Sequence, residues 1–356
     1  MHLSALSAYN FRSFAELCIE FPKGITLVLG DNGSGKSNLL EAIYYALSGK
    51  SFRTRYDQEI VMFGKDFLRT EAQVIKDGLK KKIKILFQNQ NGRSVEVNEK
   101  EYSKLNQLFF ENHVVVFTPS SSFLVKGGPH TRRHFLDRIN LKINPEFSLI
   151  LSKYSQTLKA RNTLLKTKSI AHMDYQLYEV LTDELIRYSK IIQNERSRML
   201  DSFNQQMHEI LQVFQAKGVN QIKWIYQPFR KFNSSLTDLL NQESRRGISI
   251  IGSHLDIVDV SCNSYLAKSY SSEGEIKIIT IFSKLCEFET IEKKTRITPI
   301  LLLDDLSSEL DEENLKKMLE FIKEKNQVIL SSLVDLPVHA IEKIYLKKDL
   351  EKICNN

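Results

Sequence analysis

Apolar and polar positions alternate along LSAYNFRSF (6–14) and AELCIEF (15–21), the period-two signature of half-buried strands. GITLVLG (24–30), HVVVFTP (113–119) and PILLLDD (299–305) are instead continuous apolar runs, as expected for strands covered on both faces. Residues 66–98 read as a meander, with Asp77–Gly78 and Asn91–Gly92 expected as two-residue hairpin turns. Alternation returns in SIIGSHLDIVDV (249–260). A helix is expected over Glu275–Ile291 and another over 313–325, with NQVILSS (326–332) as a last strand.

The middle of the chain follows a different rule. Between Pro145 and Gly218 there is neither glycine nor proline, and apolar residues recur at steps of three and four. Phe147, Leu151, Tyr154, Leu158 and Leu165 form one stripe, Leu177, Leu181, Leu185, Tyr188 and Ile192 a second. Met199, Phe203, Met207, Ile210 and Phe214 continue it. A break near Lys166–His172 predicts two long helices folded back as an antiparallel hairpin. The expected organisation is a head built from 1–130 and 246–356, with a helical arm, 131–245, inserted between. The expected fold class is an α/β P-loop head, mixed sheet plus antiparallel β lobe, carrying an all-helical insertion.

Composition changes this picture little. The 356 residues are 42% hydrophobic, enough for a substantial core, and 50 Lys and Arg against 43 Asp and Glu leave a net charge of +7. That excess permits a polyanion partner without demanding one. Four scattered cysteines, Cys18, Cys262, Cys286 and Cys354, make neither a metal-site spacing nor a disulfide framework. No signal-peptide pattern opens the chain, and no apolar run approaches the ~20 residues that span a bilayer. A soluble, cytoplasmic protein is expected.

The chemistry concentrates in two short stretches. In GDNGSGKSNLLEAIYYAL, Gly30, Gly35, Lys36 and Ser37 satisfy GxxxxGK[ST] between an apolar strand and an expected amphipathic helix. Backbone amides of Gly30, Asp31, Asn32, Gly33, Ser34 and Gly35 would wrap a β-phosphate, Lys36 would reach the β- and γ-phosphates, and Ser37 would ligate Mg²⁺. In PILLLDDLSSELD, two adjacent carboxylates follow a buried strand, which is costly without a positive partner. Asp304 then fits a Mg²⁺ ligand through water and Asp305 the catalytic carboxylate that polarises the attacking water; alone, the pair would also suit a helix N-cap.

Together with YNFRSF, SGKSFR, VVFTP, GGPHTRRHFLD (127–137), YSQTLKARNTLLK (154–166) and RRG (245–247), these motifs resemble the RecF family, within the ABC-type ATPases that include the SMC proteins. The resemblance covers nearly the whole chain. It implies an ATP-dependent homodimer with two ATP molecules sandwiched between heads, Ser272 and Gly274 of SSEGEIK touching the partner's γ-phosphate. It also implies a crossing loop at Ser308–Asp311 and Arg12 near the nucleotide base. The partners it implies are DNA, RecO and RecR, in gap repair that places RecA on single strands, in replication and in the SOS response. A non-hydrolysing ATP-gated scaffold and a transporter ATPase are the alternatives.

Three segments depart from the family pattern. SSEGEIK stands where SxGQ is usual, so Glu275 brings a negative charge toward the expected γ-phosphate. GSHLDI replaces GPHRDD, and FTPSS replaces FTPED. Expected DNA phosphate contacts are Arg132 and Arg133, Lys80, Lys81, Lys82 and Lys84, and Arg245 and Arg246. No recognition helix or zinc finger stands out, so binding should be backbone-driven and salt-sensitive.

Overall fold

The computed structural model describes residues 1–102, 105–167, 174–229, 235–338, 340–347 and 352–354. Contacts divide the chain into two compact units: Met1–Ser122, Val213–Ala216 and Thr280–Asn356 form the first, Phe123–Gln212 and Lys217–Ile279 the second. The second unit thus runs beyond the expected 131–245 at both ends.

In chain order the strands are β1 (His2–Phe11), β2 (Phe14–Glu20), β3 (Gly24–Leu29), β4 (Phe67–Lys76), β5 (Leu79–Gln88), β6 (Gly92–Val97), β7 (Lys100–Glu101) and β8 (Val114–Phe117). They continue as β9 (Ile222–Gln227), β10 (Ile257–Cys262), β11 (Tyr265–Leu266), β12 (Ile300–Leu303), β13 (Gln327–Ser332), β14 (Glu342–Tyr345) and β15 (Lys352–Cys354). The helices are α1 (Lys36–Ser48), α2 (Leu105–Glu111), α3 (Phe123–Lys126), α4 (Pro129–Ile143), α5 (Phe147–Thr167) and α6 (Tyr175–Phe214). After them come α7 (Leu236–Arg246), α8 (Ala267–Tyr270), α9 (Glu273–Thr295), α10 (Leu306–Glu309) and α11 (Glu312–Lys323).

In the first unit a five-stranded sheet, β14-β3-β13-β12-β8, is parallel at every pairing. Three of its strands, β3, β8 and β12, are the continuous apolar runs, as sheets covered on both faces require. A seven-stranded sheet, β15-β2-β1-β4-β5-β6-β7, is antiparallel except where β15 joins β2. One core joins both sheets through α1. Every α1 residue except Ser37 and Asn38 is buried, so the expected amphipathic helix is buried on all faces, because sheet covers it on two sides.

Turn chemistry explains one hit and one correction. Lys76 pairs with Leu79 across Asp77 and Gly78, both at positive φ (51° and 79°), as a two-residue hairpin with the right twist requires. At the next turn Gln88 pairs with Gly92, leaving three loop residues rather than two. Gly92 takes the left-handed position at φ 74°, where that longer loop returns to the strand.

In the second unit α5 and α6 run antiparallel, since Thr157 meets Glu184 while Arg161 meets Thr182 and Tyr178. From residue 168 to 173 the expected break lies outside the described residues. The alternation at 249–260 makes a strand only from Ile257. Before it, Gly252 (φ 120°) and a single 3-10 turn at Ser253–Leu255 redirect the chain.

Candidate functional site

The loop 30–35 leaves the carboxyl end of β3 and enters α1, and its shape depends on absent side chains. A Cβ on Gly30 would lie 2.4 Å from the Leu346 carbonyl oxygen and 2.5 Å from Ser34 Oγ. Gly35, the residue before α1, sits at φ 97°, and a Cβ there would meet the Phe14 ring at 2.9 Å. No side chain caps α1, so its first amides keep no internal acceptor from a capping residue. Lys36 is buried, and its Nζ donates to the carbonyls of Gly30 (2.6 Å) and Asp31 (2.9 Å). The Ser34 hydroxyl is buried without a partner. An open helix N-terminus beside a buried ammonium is built for a polyanion.

Asp304 and Asp305 follow β12, whose carboxyl end lies on the same sheet edge as that of β3, with β13 between. Two strand spacings separate them, about 9–10 Å. Ser331 on β13 links the aspartates: its hydroxyl donates to Asp304 Oδ1 (2.8 Å) and accepts the Asp305 N–H (2.9 Å). Asp305 adopts left-handed backbone (φ 50°), and its buried Oδ1 has no partner. It precedes α10 without a side-chain cap bond, so capping does not explain it. A strained carboxylate with a buried unmatched oxygen is the kind of feature that functional sites retain.

These residues fit a small hard cation. Ser37 and Asp304 offer oxygen, and among the described residues no group of three or more His, Cys, Asp or Glu could cage a metal by itself. Mg²⁺, which keeps several waters and borrows phosphate oxygens, needs no such cage.

Arg12 is bonded to the helix that follows the cradle. It sits at positive φ (51°) in the β1–β2 turn, and its guanidinium grips the buried Glu41 of α1 in a two-point bond of 2.8 and 2.9 Å. Ser51 and Arg53 also bond Glu41. Glu41 and Ser331 escaped the sequence reading; each is a polar residue in an apolar element, the signal that could have found them.

In the second unit the expected trans-acting segment is self-contained. Glu275 Oε2 accepts from the Ser272 N–H (2.7 Å) and hydroxyl (3.0 Å), while Ser272 Oγ accepts the Glu275 N–H (3.3 Å). This is a reciprocal capping box at the start of α9. A Cβ on Gly274 would meet nothing.

The DNA candidates divide sharply. Arg132 is a correction: it is 2% exposed and donates to the carbonyls of Val258, Val125 and Gly127 and to Asp259. A residue so enclosed braces its own unit and presents nothing to a phosphate. Arg133 is half-buried, donates to the Asp256 carbonyl (2.5 Å), and burial lowers its pKa. Lys81, Lys82 and Lys84 are paired with Glu111, Glu71 and Glu96. Lys80, Arg245 and Arg246 are exposed and carry no ion pair.

Comparison with known proteins shows the family. The model of the RecF/RecN/SMC N terminal domain matches residues 2–352. DNA replication and repair protein RecF of Lactobacillus johnsonii is 34% identical, over 93% of this chain and 92% of its own length. The chain belongs to the RecF family. The RecF protein of Geotalea daltonii is 31% identical over 96% of each chain. Among solved structures, the recombination mediator RecF with ATP superposes at a TM-score of 0.86, with 27% identity over 95% of this chain and 93% of that one. An SMC head at 17% identity and TM-score 0.58 shares the fold.

Two RecF motifs prove to be buried ionic frames within the second unit. Arg161 of YSQTLKARNTLLK, fully buried, bonds Glu243 at 2.6 Å, and Tyr178 joins the same carboxylate at 2.7 Å. Asp137 of GGPHTRRHFLD holds Arg196 by two 2.8 Å bonds, and Arg196 also reaches the buried Asp256 at 2.7 Å. Breaking such pairs one-sidedly costs several kcal/mol, about 3–5.

Proposed function

We propose that this chain is an ATP-dependent DNA-binding protein of gap repair, replication and the SOS response. The observation that carries this is the shared sheet edge: the phosphate cradle at Gly30–Ser37 and the Asp304–Asp305 pair at carboxyl strand ends with one strand, β13, between them. Solved RecF relatives with ATP and its thio analogue, described within the RecFOR pathway, support ATP as the ligand. In this reading Lys36 exchanges its two carbonyl bonds for β- and γ-phosphate oxygens. Mg²⁺, held by Ser37 and Asp304, supplies charge neutralisation, and Ser331 fixes the Asp304 carboxylate. Asp305, whose Oδ1 has no hydrogen-bond partner, accepts the proton of the attacking water. Two heads close on ATP and on DNA, Ser272 and Gly274 serving the partner's nucleotide. RecO and RecR join in placing RecA on single strands. Hydrolysis reopens the dimer. Lys80, Arg133, Arg245 and Arg246 are the cations left for DNA, and the site of action is the cytoplasm.

A second reading, a nucleotide-gated scaffold without turnover, is favoured by the Ser272–Glu275 capping box, which occupies the hydroxyl a γ-phosphate would use. ATP hydrolysis with and without double-stranded DNA, with Lys36→Ala as blank, separates the two. DNA-stimulated turnover abolished by Asp305→Asn supports the clamp. Tight ATP binding without turnover leaves the scaffold, and turnover unchanged in Asp305→Asn removes the role given to that carboxylate.

A further inference from the structure

β13 ends on two successive buried serines, and their hydroxyls serve different neighbours. On one side the strand runs in register with β3: Ser331 pairs with Val28, and Ser332 with Leu29, the residue before the cradle. On the other side Leu330 pairs with Leu303, so Ser331 stands level with Asp304. Ser331 thus lies between the two halves of the site. Ser332 reaches the Ser307 hydroxyl of α10 at 3.2 Å and accepts the Val334 N–H at 3.2 Å, bonding neither aspartate.

The Ser331 hydroxyl has one proton to give, and its direction is forced. The Asp305 amide can only donate, so Ser331 Oγ accepts from it (2.9 Å) and sends its own proton to Asp304 Oδ1 (2.8 Å). Among the described residues Asp304 Oδ2 takes no hydrogen bond, which leaves that oxygen for a cation. The Asp305 amide bond also supports a left-handed backbone, φ 50° and ψ 45°, that an L residue adopts only at a cost. One buried hydroxyl therefore sets the Asp304 carboxylate and the Asp305 backbone together.

We infer that Ser331 is the positioning residue for metal-dependent nucleotide binding. By occupying Asp304 Oδ1 it reserves the other oxygen for the Mg²⁺ that accompanies the nucleotide, and it couples that ligand to the placement of Asp305. This rests on the nucleotide and metal reading of the cradle. Ser331 acts through the two aspartates, and removing a group that orients a metal ligand weakens the metal about 10–100-fold.

The test is titration calorimetry of the full chain with ATP in EDTA and with Mg-ATP, the ratio of the two affinities giving the effect of the metal. Ser331→Ala lowers that ratio about tenfold and leaves metal-free ATP within twofold. Ser332→Ala is the matched control: it removes a buried hydroxyl from the same strand end and keeps the wild-type ratio. An undiminished ratio in Ser331→Ala overturns the inference. So does an equal loss in both serine variants, or a parallel fall in metal-free and Mg-ATP affinity, since each marks a general loosening of the strand end. If Mg²⁺ changes nothing in the wild-type chain, the metal reading of Ser37 and Asp304 fails and this inference with it. If the metal effect is lost in Asp304→Asn but kept in Ser331→Ala, the inference alone fails.

Discussion

The starts of α1 and α9 make an instructive pair. Both belong to the machinery that the RecF resemblance implies, yet α1 opens on Gly35 with no side-chain cap, while α9 opens on Ser272 and Glu275 bonded to each other. A helix N-terminus exposes four amides and half a positive charge, and that demand is met from inside or from outside. At α1 no capping side chain meets it, and a buried lysine stands beside it. At α9 a carboxylate from the helix's own first turn meets it. The start of α11 is a third case, closed by the Asp311 carboxylate, which accepts the Asn314 N–H at 2.9 Å.

The largest way to break this contrast is to spoil the open start. Gly35→Ala places a methyl at φ 97° against Phe14, so a stability loss of about 2–4 kcal/mol is expected, read as a lower denaturant midpoint, with ATP binding abolished in whatever remains folded. Lys36→Ala leaves the fold intact but removes the ammonium, and ATP affinity should fall near a hundredfold by calorimetry, about 3 kcal/mol.

Opening the closed start comes next. Glu275→Gln keeps the shape of the capping box and removes its charge. ATP-dependent dimerisation, followed by light scattering, should strengthen about tenfold, at a stability cost of about 0.5 kcal/mol. No change in dimerisation would mean that Glu275 does not face the nucleotide. The smallest effect sharpens the third case. Asp311→Ala should cost about 1 kcal/mol at pH 7. The Asn314 amide holds the Asp311 carboxyl below its usual value of 3.8. Its contribution is therefore present above that pH and lost as pH falls through the lower folded value. Thermal melts of the two proteins should draw together only as pH falls below 3.8.

The α1 site was legible because its chemistry is local. Strand, glycines, lysine and helix lie in one continuous stretch, 24–48, and glycine's absent Cβ is a property of the letter itself. Arg132 shows the reverse. Its neighbours in sequence suggest a basic patch, but its acceptors Val258 and Asp259 lie more than 120 residues away, and no local pattern encodes them. Glu275 is intermediate: S-x-x-E was readable as a capping box, yet the family's phosphate role drew attention to its charge rather than to its hydrogen bonds.

From sequence alone came β3, β8, β12 and β13, the meander strands, the helical pair, the phosphate loop, the paired aspartates and the family, since each depends on spacing within one element or on a motif; β9, inside the stretch expected to be helical, and the edge strands β14 and β15 did not. Only the tertiary structure decided that β13 and Ser331 stand between the cradle and the aspartates, that α1 is buried on every side, and that Arg132 turns inward. Those depend on which distant segments share a sheet or a core, and a side chain's burial is set by partners the local pattern does not name.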